Sequence, residues 1–267
     1  MLRHRVIPAL LLRNESLVKT VQFREFSYIG DPCNTVRIFN ELEVDELIFL
    51  DITATREGRR PNLRVLRDIA DECFMPLAYG GGITSLAEAK SVFEIGIEKV
   101  AVNAAAYGNP ALLTEIAECY GSQSVIASID VKRTWRGESR LYHHQTKSVG
   151  RQRPVDWARE VEKRGAGEIL LTSVDREGTW SGFDVELVKS ITGSVNIPVI
   201  AHGGCGCLQH VQSVIADGRA SAVALGSLVV FQKQGMGVLV NFPDCSAAIR
   251  SVVNRRPAAL LSSPALE

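Results

Sequence analysis

The sequence predicts a single (βα)8 barrel, an α/β fold of two similar half-barrels spanning residues 1–253, with a poorly ordered tail over 254–267. Three observations lead there. Eight short, near-continuous apolar runs alternate with amphipathic helical stretches, the mark of a parallel sheet covered on its outer side, and eight is the count at which such a sheet closes. Segments of the first half recur in the second at one fixed separation. The length, 267 residues, is ordinary for one barrel.

In chain order the strand-like runs cover residues 6–12, 46–51, 76–79 and 99–103, then 125–131, 168–172, 198–202 and 221–226. Between them Asp31-Pro32 opens a helix with Val36, Phe39 and Leu42 at helical spacing. Thr84 and Ser85 followed by Glu88 make a capping box, and residues 156–164 read as a helix ended by Gly165. Two long connections, 12–31 carrying Lys19 and 132–154 rich in Arg, His, Lys and Gln, follow the first and fifth runs. They read as loops over the mouth, because the βα loops of a barrel gather at the carboxyl ends of its strands.

Pro76-Leu-Ala-Tyr-Gly-Gly-Gly82 reappears as Pro198-Val-Ile-Ala-His-Gly-Gly204, Glu46-Leu-Ile-Phe-Leu as Glu168-Ile-Leu-Leu-Thr, and Gly96 as Gly218, each 122 residues on. Three independent matches at one offset indicate an internal duplication. The first and fifth strands are then equivalents at an offset of 119, which sets Leu11 opposite Asp130.

Lys+Arg 30 balances Asp+Glu 30, so global charge gives no argument for nucleic acid or an anionic membrane surface. No run approaches the ~18 uncharged apolar residues of a membrane span, and the start lacks a signal-peptide apolar region; a cytoplasmic location is expected. Six cysteines lack a CxxC spacing, and Cys205-Gly-Cys207 reads as small residues filling a turn; neither a metal nor a cofactor is expected.

Glycine-rich turns follow the third strand (Gly80, Gly81, Gly82) and the seventh (Gly203, Gly204), each reinforced from the next unit, by Asn103 and by Gly226-Ser227. Unobstructed amides at a strand's carboxyl end suit phosphate, so a ligand phosphorylated at both ends is expected; tight turns alone are the other reading. Asp51, Asp130, Asp175 and Glu177 fall at or just past strand ends, where they serve either as mouth acids or as caps and ion pairs. Arg5, Glu46, Lys99 and Glu168 start their strands and so belong to the barrel floor, as solvated charges or as a polar plug on the axis.

Residues 45–54 (Asp-Glu-Leu-Ile-Phe-Leu-Asp-Ile-Thr-Ala), Gly80-Gly-Gly-Ile83, Gly121-Ser-Gln-Ser124, residues 165–173 and Asp175-Arg-Glu-Gly-Thr179 are long, specific segments. Through them the chain, to about Pro243, resembles the cyclase subunit of imidazole glycerol phosphate synthase. The resemblance implies a glutaminase docked under the barrel near Glu98 and Gln123. It also implies a gate of Arg5, Glu46, Lys99 and Glu168 that admits ammonia to the axis, and a mouth where Lys19, Asp51, Thr172, Glu177 and His202 face a substrate with two phosphates. That family's lyase chemistry, which forms imidazole glycerol phosphate and aminoimidazole carboxamide ribotide in histidine biosynthesis, uses aspartates on the first and fifth strands. Here the fifth is Asp130 and the first is Leu11; His202 and Glu177 stand where Ser and Asp are usual. Ile7-Pro-Ala-Leu-Leu-Leu12, Val18-Lys-Thr20, Cys73-Phe-Met-Pro76, residues 226–232 and Leu239-Val-Asn-Phe-Pro243 resemble a paralogous branch associated with acetamidino modification of surface-polysaccharide sugars. That branch implies a glutaminase and a separate ATP-dependent sugar amidotransferase as partners.

Overall fold

A computed structural model of the chain describes residues 4–245 and Ile249; the barrel end expected at 253 and the expected tail over 254–267 lie outside the described residues. The first half comprises β1 (Arg5–Arg13), β2 (Ser16–Thr20), β3 (Phe26–Gly30), α1 (Pro32–Glu41), β4 (Leu47–Asp51), α2 (Leu63–Glu72), β5 (Leu77–Gly80), α3 (Leu86–Phe93), β6 (Lys99–Val102), α4 (Ala104–Gly108) and α5 (Ala111–Tyr120). The second comprises β7 (Val125–Arg133), β8 (Ser139–His143), β9 (Ser148–Val149), α6 (Pro154–Lys163), β10 (Glu168–Ser173), α7 (Val185–Thr192), β11 (Val199–His202), α8 (Leu208–Ala216), β12 (Ala222–Leu225) and α9 (Ser227–Val230). Strands β1, β4, β5, β6, β7, β10, β11 and β12 pair in parallel in that order, and β12 returns to β1, closing the barrel. These are the eight runs read from the sequence.

The two long connections differ from the loops expected. Each forms a hairpin on the rim: β2 folds back antiparallel on β1 and pairs with β3, while β8 folds back on β7 and pairs with β9. Left-handed Asn14 (φ 58) turns the chain from β1 into β2, and Gly137 (φ 81) turns it from β7 into β8; both residue types tolerate this backbone without the Cβ clash other side chains meet. Both halves extend the same strand in the same way.

The helices follow their sequence signals. The Asp31 side chain caps α1 by accepting from Asn34 N at 2.8 Å, with Pro32 in the first turn. Ser85 Oγ accepts from Glu88 N, and Glu88 reaches back to Thr84 N and Oγ1 at 2.7 Å, a capping box shifted by one residue in its return bond. Helix α6 starts at Pro154, two residues earlier than expected, and gives way to left-handed Gly165. Helix faces such as Val65, Leu66 and Ile69 of α2 pack on the outer side of the sheet in the larger apolar core.

A second, smaller core fills the barrel axis, because alternate residues of each strand point inward. Ile7, Ile48, Ala78, Ile126, Leu170, Ile200 and Ala222 belong to this core, with Ala9, Ala101 and Ala224 nearer the mouth. The axis is therefore apolar in its middle and polar at both ends.

Candidate functional site

At the floor, the four charges that begin strands or precede them by one residue meet in a closed ring of alternating sign. Arg5 contacts Glu46 at 2.6 Å and Glu168 at 3.0 Å; Lys99 contacts Glu46 at 2.9 Å and Glu168 at 3.2 Å. Each carboxylate meets both cations, so the charges compensate within the ring. Glu98, directly before Lys99, accepts from Leu77 N at 2.7 Å and is exposed, and Gln123 is exposed in the short turn just before β7.

At the mouth, register verifies the internal duplication. Leu11 pairs with Leu50 and Leu50 with Gly80; Asp130 pairs with Thr172 and Thr172 with His202. Leu50 and Gly80 are separated from Thr172 and His202 by the repeat offset of 122, so Leu11 and Asp130 are true structural equivalents. The glycine turns repeat as well: a Cβ on Gly81 would strike Asp51 O at 2.6 Å, and one on Gly203 would strike Ser173 O at 2.7 Å. Both have positive φ, 127° and 97°. Glycine is required at both, by backbone conformation and by contact.

A cavity of about 400 Å³ opens at this end. Its wall includes Leu11, Gly81, Gly82, Asn103, Asp130, Thr172, Glu177 and His202, but not Gly203, Gly204, Gly226 or Ser227. On the second-half side Lys19 is buried, and its Cε stands 2.8 Å from where a Cβ on Gly226 would lie. The two glycine turns are alike in backbone, and the first-half turn lines this cavity.

Of the acids placed at strand ends, Asp130 and Glu177 line the cavity. Asp51 is turned into its own loop, accepting from Thr53 N at 3.0 Å and Ala54 N at 2.9 Å, with Arg59 at 3.6 Å. Asp175 accepts from Arg133 N at 2.7 Å. For Asp51 the capping and ion-pair alternative describes the geometry; Asp175 does neither, and instead holds a backbone amide at the end of β7.

Asp130 is the centre of a polar chain. Asn103 Nδ2 donates to Asp130 Oδ2 at 2.8 Å, Thr172 bonds it from the next strand, and Thr172 Oγ1 also lies 3.1 Å from His202 Nδ1. Burial dominates these bonds and pushes the Asp130 carboxyl up to about 7; burial, aided by the Lys19 charge, pushes the His202 imidazole down to about 4. Asn103 Oδ1 is buried without a partner among the described residues, an acceptor free for a donor in the mouth. His144, which sequence reasoning did not single out, brings Nδ1 to 3.8 Å from Asp130 Oδ2 and lines the cavity. Burial and the Arg56 charge hold its pKa below the usual imidazole value. A histidine pair in a polar rim segment is no signal by itself; only the β8 hairpin brings it to the acid.

Glu177 binds the other hairpin. It takes the ion pair from Lys19, accepts from Thr20 Oγ1 at 3.0 Å and from Phe23 N at 3.2 Å, while its carbonyl accepts from Gln22 N at 2.9 Å. The extra methylene relative to an Asp carries the carboxylate out to the β2–β3 turn.

A closed (βα)8 barrel with a compensated charge ring beneath an apolar axis, and a buried acid network beside a glycine turn at the mouth, defines a class of barrel whose two ends differ in chemistry. The chain belongs to the histidine biosynthesis protein family, whose model matches residues 5–234. It is 47% identical over 245 residues, 91% of this chain and 97% of the relative, to a Pseudomonas aeruginosa protein named "Putative imidazole glycerol phosphate synthase subunit hisF2". It is 44% identical over 246 residues, 91% of this chain and 96% of the relative, to a Leptospira borgpetersenii protein named "Putative imidazole glycerol phosphate synthase subunit HisF". It is 43% identical over 234 residues, 87% of this chain and 92% of the relative, to the imidazole glycerol phosphate synthase subunit HisF of Chlorobium phaeobacteroides. Among the described residues no helix is long and apolar enough to cross a membrane.

Proposed function

We propose that the chain is the ammonia-conducting barrel subunit of a glutamine-dependent amidotransferase complex. A glutaminase docks at the floor, around Glu98 and Gln123, and ammonia enters through Arg5, Glu46, Lys99 and Glu168. The observation that carries this reading is the closed ring set directly below an apolar axis. Opening one contact of a compensated ring leads onto an apolar axis, which favours neutral ammonia over ammonium, since burying an unpaired ion is costly. In the mouth a phosphorylated acceptor rests on Gly81, Gly82 and Asn103. Resemblance to the paralogous branch supports acetamidino modification of a surface-polysaccharide sugar as the use of that ammonia, with a separate ATP-dependent sugar amidotransferase downstream.

Leu11 supports this reading over a complete cyclase: a leucine transfers no proton, and losing one general acid or base costs typically 10²–10⁴-fold. The second reading, a cyclase forming imidazole glycerol phosphate and aminoimidazole carboxamide ribotide, is favoured by the 43% identity to the Chlorobium phaeobacteroides subunit. In it Asp130, with a pKa near 7, serves as both acid and base. The test is to supply the diphosphorylated formimino substrate with ammonium salt and no glutaminase. Turnover more than about 10²-fold below that of an ordinary cyclase supports the first reading; turnover at the ordinary rate overturns it.

A further inference from the structure

Among the described residues the buried acids are Glu46, Asp51, Asp130, Glu177 and Asp184. Arg5 and Lys99 pair with Glu46, Arg59 with Asp51, Lys19 with Glu177 and Arg133 with Asp184. Of these acids Asp130 alone has neither an arginine nor a lysine; the basic group beside it is His144, whose Nδ1 lies 3.8 Å from Asp130 Oδ2. That is longer than a hydrogen bond, and a closure of about 1 Å brings the two atoms to bonding length. An imidazole partner differs in kind from a guanidinium, because it gives its proton up again in the neutral range.

The fold places His144 by holding its neighbour. His143, the last residue of β8, is set edge-on to Tyr107 at 4.6 Å between ring centroids, and a Cβ on Gly150 would lie 2.7 Å from its Nε2. Tyr107 in turn leans on Trp157 of α6 at 5.1 Å. The His143 ring is thus wedged on two sides, and the next residue, His144, reaches the acid from the cavity wall.

His202 is the other imidazole near Asp130, joined to it through Thr172. It is buried beside the Lys19 charge, so a proton placed there is both desolvated and opposed by a like charge. His144 keeps 23% of its side chain exposed, and so reaches both the buried acid and water. The rim around it is cationic: Arg24, Arg56, Lys132 and Lys147, with Glu25 the one acid, line the hollow between the two hairpins. Arg56 and His143 act on His144 through charge, and Glu177, Tyr107 and Tyr142 share the field of Asp130.

We propose that His144 is a positioning residue for Asp130: the two share one proton, and His144 carries it between the buried acid and the water at the rim. A group in the mouth that loses a proton to the Asp130 carboxylate leaves a carboxylic acid. The acid passes that proton to His144 Nδ1, giving carboxylate and imidazolium, and the imidazolium releases a proton from Nε2 to water, giving a neutral ring. The mouth thereby has a second proton-carrying group on the rim hairpin, where Leu11 supplies none. The pairing holds under either reading of the mouth chemistry.

Carbon and nitrogen NMR titration of the full chain, labelled at aspartate and histidine, tests it without substrate or glutaminase. Asp130 Cγ is assigned by its loss in Asp130→Asn, and the His144 ring by its loss in His144→Gln. In the wild type the Asp130 Cγ and His144 Nδ1 signals are expected to move together over a common pH step. Asp130→Asn is expected to weaken the hold of the His144 ring on its proton by about fivefold or more, the Coulomb effect of a charge about 4 Å away in water. His144→Gln is expected to leave Asp130 with a single step of its own, displaced from that of the wild type. A His144 titration that is the same in wild type and Asp130→Asn overturns the proposal, as does an Asp130 step indifferent to His144→Gln. Should Asp130→Asn fail to fold by circular dichroism, His144→Gln, at a partly exposed side chain, decides alone. Either failure leaves the floor ring and ammonia conduction where they stand, since neither enters the measurement.

Discussion

Leu11 and Asp130 occupy one position of a duplicated barrel, each flanked by residues, Leu50 and Thr172, that stand at the repeat offset. The apolar member of the pair is no sign of a shifted strand, because the register on both sides is intact. It is a substitution in place, and it can be reversed.

Leu11→Asp is therefore expected to set a second carboxylate in the mouth facing Asp130. Ammonium-dependent turnover of the diphosphorylated formimino substrate should rise by about 10²-fold or more. Leu11 is only 6% exposed, so the variant should also lose about 1–3 kcal/mol of stability, read from urea unfolding. No gain in turnover would mean that further mouth residues, His202 or Glu177 first, also exclude cyclisation.

Lys99→Ala opens the floor ring and leaves Glu46 and Glu168 facing each other without the shared cation. Breaking a buried pair on one side costs about 3–5 kcal/mol, toward the lower end here because the Lys99 side chain is 17% exposed. In complex with the proposed partner glutaminase, glutamine-driven amination should fall while ammonium-driven amination persists. Equal loss of both would place the effect in folding and not in passage.

Glu177→Ala removes the carboxylate ties between the β10–α7 loop and the β2–β3 turn, leaves Gln22 Nε2 donating to Asp175 O as the side-chain tie there, and strands Lys19 without its ion pair. Trypsin cleavage after the exposed Arg24 should accelerate about tenfold, and the Phe23 amide should lose hydrogen-exchange protection. Glu177→Asp, one methylene shorter, should give an intermediate effect.

The pH dependence has two opposed parts. His202, with a folded pKa of about 4, contributes stability that is present above the usual imidazole value and lost as pH falls from there toward 4. Asp130, with a folded pKa of about 7, binds its proton more tightly when folded, so its contribution is present at low pH and lost as pH rises from the usual carboxylate value to 7. Each has a slope of about 1.4 kcal/mol per pH unit, and they cancel between about pH 4 and 6.5. Urea midpoints of His202→Ser should fall with pH across that window relative to wild type, and those of Asp130→Asn should rise. Parallel changes in the two variants would refute the assignment.

The eight barrel strands were legible because their outward residues are buried under helices as thoroughly as their inward ones are buried in the axis, which leaves unbroken apolar runs such as Ile169–Leu171. The four floor charges were legible as residues at strand starts, but solvated charges and a polar plug stayed equally open until the contacts of Arg5 and Lys99 with both Glu46 and Glu168 closed the ring. The rim hairpins were not: Ser16–Thr20 is five residues long, and Ser139–His143 carries polar side chains that a sequence alone assigns to a loop. Their signals were local, Asn14 and Gly137 at the turns. The role of His144 beside Asp130 depends on that missed hairpin, and the burial of Lys19 against Gly226 depends on the other. The roles of Asp51 and Asp175 needed hydrogen-bond geometry, because an acid that ends a strand is placed identically whether it faces the mouth or its own loop.

The ring at the floor sums to zero charge and the rim does not, so the barrel has an electrical direction. A cation entering from below would move toward rising positive potential, an anion entering from above would move down it, and an uncharged molecule would register neither. Under the proposed function the axis would thus sort traffic by charge before any side chain touches it, holding anions at one end, turning cations back and leaving the middle to a small neutral species.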